Sequence, residues 1–572
     1  MSTAMNTLPG EPRLSAAETI FLHANDEAYR RLIERIQGMN RHEAPDSILR
    51  EVARAALLAS EFHAGRFADG AIENMALEVG AALDLPVEVS QTPASARTQA
   101  KRRRILHVAT QVSPIGGHSR LIAHWARHDQ TSLHSLAIVD QGNETVPSWL
   151  SDAMRKSGGE VIRIPTTTLS DKARQLRRLA KDQVDLVVLH QHPFDVVPTV
   201  AFARTDCPPI AVFNHADHQF WLGSSVSDIA ICFRTVASEH TVQRRSIAAT
   251  IVLPIPLTDR PGRRTKVDAR SSLGIPEDQV MLLTIGRAEK YRPSATYDFV
   301  KTVGKILEKY LNAHVYLIGE TLGGITPYLR SAVHERLHFM GPVDDPSLWR
   351  SAADVYLESF PFGSHTALLE AALSGLPVVP AYAPLFPLIV AHDDSLNDLI
   401  SNPQSEEEYI ERCGRLIQCS ELRIELAEAL QDRLRIDHVG AGWLRRLAAV
   451  YEKTDYLSHN PQPIPVSQCC ITDGDCALSL WHARADGENW TSDIFRNSTG
   501  AMLRHSAFVA RTAADYIGAV RFGVRAVRHD PWSRASWRVL TLTVLGKTAG
   551  RVVMRTRQYW KKFSRKGRSE PA

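Results

Sequence analysis

Residues 355–379 have the sequence VYLESFPFGSHTALLEAALSGLPVV, which has the pattern of a strand, a turn, a helix and a second strand. Short apolar runs bounded by Gly, Pro and Ser are typical of buried parallel strands. The Gly-Ser-His-Thr turn at 363–366 precedes the helix, where free N–H groups and hydroxyls favour a phosphate. Glu370 follows one turn into this helix. Its carboxylate is predicted either to accept hydrogen bonds from ribose hydroxyls or to be a solvated surface group.

Strand and helix patterns alternate on both sides of this stretch. The predicted strands are Ile105–Thr110, Leu136–Val139, Val161–Ile164, Leu186–Leu189, Ile210–Phe213 and Ile229–Cys232 in a first series, and Val280–Ile285, Val315–Ile318, Leu337–Phe339, Val355–Leu357 and Val378–Val379 in a second. A cluster of prolines between 254 and 261 separates the two series. The sequence therefore predicts an α/β protein with two Rossmann-like, doubly wound domains.

The rest of the chain has no strand alternation, and its pattern divides into segments. The predicted divisions are a helical N-terminal region at 1–85, a linker at 86–104, a first Rossmann-like domain at 105–255, a second at 256–455, an irregular segment at 456–492 and a basic helical C-terminal region at 493–572.

Composition excludes several classes of protein. A formal net charge of +4 over 572 residues is small, so we expect no nucleic-acid partner. The chain has seven cysteines, an odd number, and their spacing is not that of a zinc site. No signal peptide or membrane-spanning run is visible, so we expect a cytoplasmic enzyme. The basic stretches 102–104 and 551–568 are predicted to be either solvated or, at the C-terminal end, in peripheral contact with the inner face of an anionic membrane.

Three loops that follow predicted strands carry the other candidate residues. After the first strand, Gly116 and Gly117 open a helix that begins with His118; this is either a structural turn or a ligand contact. After the Ile210–Phe213 strand come His215, Asp217 and His218, for which sugar or acceptor contact, a structural network and a metal site are the alternatives. After the Val280–Ile285 strand, Arg287 and Lys290 are placed to face one diphosphate.

These motifs resemble those of glycosyltransferases of the GT-B fold, especially the retaining family 4 enzymes. The Leu-Glu-Ala sequence at 369–371 and the Gly-x-Pro-Val-Val sequence at 375–379 match the second half of that family's donor signature. Position 362, where the signature's first Glu would stand, is Phe, so stereochemistry stays open. The segment 360–366 is instead similar to the Phe-Pro-x-x-x-His-Thr run of the inverting O-linked N-acetylglucosamine transferase family, in which the His-Thr turn holds the donor's phosphates.

The resemblance implies transfer of a sugar from a nucleotide-diphosphate donor, expected to be a UDP-sugar, to a hydroxyl of a glycan, lipid-linked sugar or protein in surface polysaccharide or glycoconjugate synthesis. No cofactor and no metal are expected. A degenerate, sugar-nucleotide-binding scaffold and a sugar-nucleotide epimerase are the alternatives. The candidate catalytic residues are His215 and His118, the donor-binding residues Arg287, Lys290, Gly363, Ser364, His365, Thr366 and Glu370, and the acceptor or sugar contacts Gly116, Gly117, Asp217 and His218.

Overall fold

The structure is a computed structural model of the chain. It describes residues 16–39, 44–83, 102–114, 117–165, 167–181, 184–259, 264–291, 293, 297–326, 329, 331–382, 388, 394–482 and 498–545. Gly116 and the basic stretch 551–568 lie outside the described residues.

Three helices lie near the N-terminus: α1 (Ala16–Gln37), α2 (Pro45–Glu61) and α3 (Gly70–Ala82). A proline stands at the start of α2, and the Asp69 carboxylate caps α3 by accepting a hydrogen bond from the Ala71 N–H group. The fully buried Arg177 guanidinium donates to carbonyls at the end of α3 and to Ala201 O in the first α/β domain. These helices therefore pack on the first α/β domain.

The first α/β domain is built on seven parallel strands in the order β3-β2-β1-β4-β5-β6-β7. The strands are β1 (Arg103–Ala109), β2 (Ser132–Ile138), β3 (Val161–Arg163), β4 (Leu186–His190), β5 (Ile210–Phe213), β6 (Ile229–Cys232) and β7 (Thr250–Val252). The helices are α4 (Gly117–His128), α5 (Ser148–Ser157), α6 (Leu169–Lys181), α7 (Val197–Ala201) and α8 (Thr235–Arg244). The sequence analysis did not include β7, a three-residue edge strand that is only half-buried.

The second domain has five parallel strands in the order β10-β9-β8-β11-β12. They are β8 (Val280–Ile285), β9 (Ala313–Ile318), β10 (Leu337–Gly341), β11 (Val355–Leu357) and β12 (Val378–Val379). The helices are α9 (Lys266–Leu273), α10 (Phe299–Lys309), α11 (Leu322–Ile325), α12 (Ser347–Ala352), α13 (His365–Leu373), α14 (Glu406–Gln418) and α15 (Ser420–Asp437). The predicted α/β fold with two Rossmann-like domains is confirmed.

The next helix, α16 (Gly440–Asp455), returns to the first domain. Trp443, Leu447 and Tyr451 are buried in one cluster with Trp125 and Phe213 of the first domain. The Trp443 Nε1–H group donates to Pro254 O at 3.0 Å. The sequence division that placed 440–455 in the second domain is corrected by this packing, since the apolar face of α16 covers the first sheet.

The C-terminal helices pack against the N-terminal ones. They are α17 (Asp473–His482), α18 (Ser498–Thr512), α19 (Tyr516–His529) and a last helical stretch at 534–545. The Asn25 side chain of α1 joins two of them, because it donates to Ser479 Oγ in α17 and its Oδ1 lies 2.7 Å from His505 Nε2 in α18. The expectation that 456–492 is irregular is wrong at 473–482. There Thr472 and Asp475 exchange hydrogen bonds as a capping box and start α17.

Candidate active site

The turn between β11 and α13 is organised around Glu358. This carboxylate is fully buried, and its Oε1 accepts hydrogen bonds from the N–H groups of Ser359 and Ser364. Ser359 Oγ also donates to Phe362 O and lies 3.1 Å from Ser364 Oγ. Ser364 makes no side-chain hydrogen bond that caps α13 within the described residues. The N-terminus of a helix favours an anion.

Glu358 was not predicted to have a role. Burial raises the pKa of Glu358, and the Ser364 N–H group together with the nearby Lys290 charge opposes that rise. Its Oε2 atom is buried and has no hydrogen-bond partner among the described residues. The available signal was an acid directly after an apolar strand and six residues before the N-cap of a helix. From the sequence alone, this acid could not be distinguished from a solvated acid in a loop.

Lys290 reaches the same turn from the neighbouring strand. It lies in a short 3-10 turn, Ala288–Tyr291, after β8, and its Nζ donates to Gly363 O at 2.5 Å. The ammonium also lies 4.9 Å from the centroid of the Phe362 ring. Arg287 is exposed just before this turn. The structure therefore places the Lys290 ammonium at the turn before α13. The assignment of Arg287 and Lys290 to a diphosphate stays a prediction.

The remaining donor-side candidates lie on α13 itself. His365 is half-buried and Thr366 is exposed in the first turn. Glu370 forms an ion pair in which Arg350 donates to Oε2 at 2.8 Å, with 38% of the Glu370 side chain and 11% of the Arg350 side chain exposed. Neither sequence alternative for Glu370 included an ion pair, but Arg350 of α12 holds one of its two oxygens. The other side of the carboxylate is still accessible.

The loop after β5 is anchored beneath its candidate residues. The buried Asn214 Nδ2 donates to Thr241 Oγ1, and Trp221 Nε1 donates to Asn214 Oδ1. Asp217 forms an ion pair with Arg234 at 2.8 Å. Burial opposes ionisation of Asp217, but Arg234 and a hydrogen bond from His218 outweigh it and lower its pKa. Asp217 is therefore an ionised structural anchor of this loop in the present geometry.

His118 and His215 meet at the carboxyl edge of the first sheet. Their ring centroids are 3.9 Å apart. Burial, together with the nearby His192, lowers the pKa of His118 to about 4. Burial, His118 and His190 likewise lower the pKa of His215 well below its ordinary value. Both imidazoles are consequently neutral near pH 7, the form in which a histidine can accept a proton.

The two groups of residues face each other across the domains. The His218 ring contacts the Phe362 ring edge-on at 5.2 Å between centroids. This contact joins the loop after β5 to the turn before α13 and sets the histidines of one domain opposite the cation and N–H groups of the other. Gly117 starts α4 beside His118. Parallel sheets bind ligands at this carboxyl edge.

Comparisons with known proteins agree with this architecture. Residues 279–419 match the family model described as "Glycosyl transferases group 1". A glycosyltransferase from Rickettsia africae is similar in structure, with 12% identity, a TM-score of 0.50 and coverage of 63% of this chain and 100% of that one. An O-GlcNAc transferase mutant from Thermobaculum terrenum has 16% identity, a TM-score of 0.47 and coverage of 77% and 84%. Anabaena HepE in complex with UDP and glucose has 15% identity, a TM-score of 0.46 and coverage of 61% and 100%. No curated protein matches the chain.

The match of residues 279–419 supports a glycosyltransferase, and the two-domain α/β fold agrees with the GT-B fold expected from the sequence. The group 1 glycosyltransferase domain is residues 279–419, which include Arg287, Lys290, the turn before α13 and Glu370. The predicted resemblance to GT-B glycosyltransferases is confirmed. The finer similarity of 360–366 to the O-linked N-acetylglucosamine transferases stays a prediction. Within the described residues no helix is long and apolar enough to cross a bilayer.

Proposed function

We propose that this glycosyltransferase moves a sugar from a UDP-sugar to a hydroxyl of a glycan, lipid-linked sugar or protein in surface polysaccharide or glycoconjugate synthesis. The observation that carries the proposal is the juxtaposition of Lys290 and the N-terminus of α13 with the neutral pair His118 and His215. The cation and the helix N-terminus suit a diphosphate, and the neutral histidines suit a hydroxyl that loses its proton. The preference for uridine follows the resemblance seen in the sequence.

In the proposed reaction, the acceptor oxygen forms a bond to the anomeric carbon as the bond from that carbon to the diphosphate oxygen breaks. The electron pair leaves with the diphosphate, where Lys290 and the N–H groups of α13 stabilise the added negative charge. Arg287, exposed at the same edge, adds a second cation. His215 accepts the acceptor's proton, and His118 packs against its ring. Glu370 accepts hydrogen bonds from the ribose with the oxygen that Arg350 does not hold.

The charge stabilisation in this scheme comes from protein groups, so we propose a metal-independent reaction. Transfer is expected to continue at an unchanged rate after treatment with EDTA. If activity is lost in chelator and restored by magnesium or manganese, a metal cation stabilises the leaving diphosphate and the metal-independent scheme is wrong.

The function is tested with a panel of nucleotide sugars, recording the shift in Tm and the release of free nucleotide diphosphate. One UDP-sugar is expected to raise Tm and to be slowly hydrolysed without an acceptor. A Tm shift without turnover in the presence of any acceptor would favour a binding scaffold. Conversion of the donor to an epimer would identify a sugar-nucleotide epimerase. No stabilisation by any nucleotide sugar would reject the donor site.

A further inference from the structure

A row of four histidines crosses the first sheet and ends at His215. His134 lies on β2, His107 on β1 and His190 on β4, and His215 follows β5. These four strands are neighbours in the sheet. The first three side chains are fully buried, whereas His215 is half-buried at the carboxyl edge.

The strand register explains why these side chains meet. His134 pairs with Ile105, two positions before His107. His107 in turn lies two positions before Ala109, which pairs with His190. Since side chains of a strand alternate between faces with a period of two, an offset of two keeps each histidine on the same face and one step nearer the carboxyl edge. The result is a diagonal row that ends at the active site.

Each imidazole in the row is hydrogen-bonded to the next. His215 Nε2 is 2.8 Å from His190 Nδ1, His190 Nε2 is 3.0 Å from His107 Nδ1, and His107 Nε2 is 3.0 Å from His134 Nδ1. The row ends where His134 Nε2 lies 3.2 Å from Asp129 Oδ2. Every link therefore joins an Nε2 atom to the next group toward Asp129.

Asp129 determines the direction of these hydrogen bonds. Burial opposes ionisation of Asp129, but hydrogen bonds from His134, Thr131 and Tyr451 outweigh it and lower its pKa. The ionised carboxylate can only accept, so a neutral His134 ring carries its proton on Nε2 and presents a lone pair on Nδ1. The same requirement then applies to His107, His190 and His215 in turn. The last ring is left with Nε2–H bonded to His190 and a lone pair on Nδ1.

We propose that Asp129 is a positioning residue, which acts through His134, His107 and His190 to hold His215 in the tautomer whose Nδ1 lone pair accepts the proton of the sugar acceptor. The inference rests on the proposed function for the role of His215, but the tautomer itself is a property of the resting protein. A carboxylate that orients one catalytic histidine is a known arrangement, and here three further imidazoles separate the carboxylate from the base.

Packing around the row fixes the ring planes. The His107 ring has an edge-on contact with Trp125, and the His190 and His215 rings stack with Phe213. Tyr451 of α16 closes the far end by donating to Asp129 Oδ2 at 2.6 Å while accepting from Trp125 Nε1. The helix that returns from the second domain therefore supplies one of the groups that hold Asp129 ionised.

The tautomers are measured with protein labelled with 15N in its histidine rings, by long-range 1H–15N correlation spectra at pH 7.5. The four rings are assigned from the signals lost in single His→Gln variants. All four are expected to carry the proton on Nε2 in the unaltered protein. A proton on Nδ1 of any of the four rings would overturn the inference without the need for a variant at Asp129.

The variant that tests the direction is Asp129→Asn, because an amide can donate to His134 Nε2 and reverse every tautomer in the row. The Nδ1 signal of His215 is expected to change, and kcat to fall at least about tenfold while the donor KM changes little. The matched control is Asp228→Asn, which alters another buried carboxylate–histidine pair of this domain, Asp228 with His459 at 2.9 Å. It should leave the four signals and kcat unchanged.

The outcomes separate the two proposals. If Asp129→Asn leaves the His215 signals as they were, or Asp228→Asn changes them equally, the positioning role of Asp129 is wrong even when His215→Gln abolishes transfer. If the tautomers respond as expected but the His215→Gln variant transfers sugar at the original rate, His215 is not the base. The control of the tautomers by Asp129 then stands, but it does not serve the proposed reaction. Should Asp129→Asn not fold, Tyr451→Phe replaces it: it removes one hydrogen bond from Asp129 and is expected to leave all four tautomers in place.

Discussion

The two sides of the active site are constructed in different ways. On the donor side, the hydrogen bonds of the turn before α13 are local: Glu358, Ser359 and Ser364 bond within seven residues, and Lys290 reaches this turn from the loop after β8. On the acceptor side, the histidines come from four strands spread over more than a hundred residues. A phosphate-binding turn needs backbone N–H groups, which a short motif can arrange, whereas a neutral base needs burial and an oriented partner, which require the assembled sheet.

Replacing the proposed base is expected to have the largest effect. His215→Gln keeps a polar side chain but removes the imidazole lone pair, so kcat should fall by about 10²- to 10⁴-fold with little change in donor affinity. Steady-state kinetics with saturating donor measures this. His118→Gln serves as the comparison, and if it lowers kcat more than His215→Gln does, the roles of the stacked pair are reversed.

The buried imidazoles also predict how stability depends on pH. Burial lowers the pKa of His118 to about 4 and lowers those of His107, His190 and His215. Between the folded value and 6.5 the unfolded chain binds protons that the folded chain does not, so the free energy of unfolding decreases as pH falls through this window and is fully recovered above 6.5. His118 alone accounts for about 3 kcal/mol by pH 4.

Urea unfolding at pH 7.5, 6 and 5 measures this dependence. The His118→Gln variant should have a shallower decline than the unaltered protein, because it lacks one of the groups that must stay neutral on folding. An unfolding free energy that is constant between pH 7.5 and 5 would contradict the burial assigned to the first domain's histidines.

On the donor side, Lys290→Ala should weaken donor binding by roughly ten- to a hundredfold, since a charge-assisted hydrogen bond is worth about 1.5 to 3 kcal/mol. Affinity for the bare nucleoside should change much less, because Lys290 faces phosphate. Isothermal titration with UDP and with uridine distinguishes the two effects. Lys301→Ala, at an exposed position on α10, is the matched control and should bind both ligands normally.

The smallest effect is expected for Glu370→Gln, which keeps the shape of the side chain while removing its charge. Loss of the ribose contact should lower affinity for both uridine and UDP by about tenfold or less, because a neutral amide oxygen still accepts. The substitution also weakens the ion pair with Arg350, which contributes to stability, so Tm is measured as well. If affinity is unchanged and only Tm falls, Glu370 is a structural partner of Arg350 and does not contact the ribose.

Some elements were predictable because their signals are local. The strands of both sheets appeared as short apolar runs, and the strand–turn–helix at 355–373 combined a turn sequence with a helical pattern. The half-buried edge strand β7 and the helix α17 were missed. The start of α17 depends on the Thr472 and Asp475 capping pair within a polar segment. The packing of α16 on the first sheet depends on long-range burial, which adjacency in sequence does not report.

The sequence by itself determined the α/β class and the two Rossmann-like domains, because both depend on hydrophobic period. It also predicted the donor-side residues from motifs of neighbouring residues. Only the tertiary structure decided that Glu358 organises the turn, that Arg350 pairs with Glu370, and that three histidines join His215 to Asp129. The contacts among the histidines follow from strand order and register. A shift of one residue in any of the pairings would turn a histidine to the opposite face of the sheet, and nothing local to His107 or His134 specifies which strand will lie beside it.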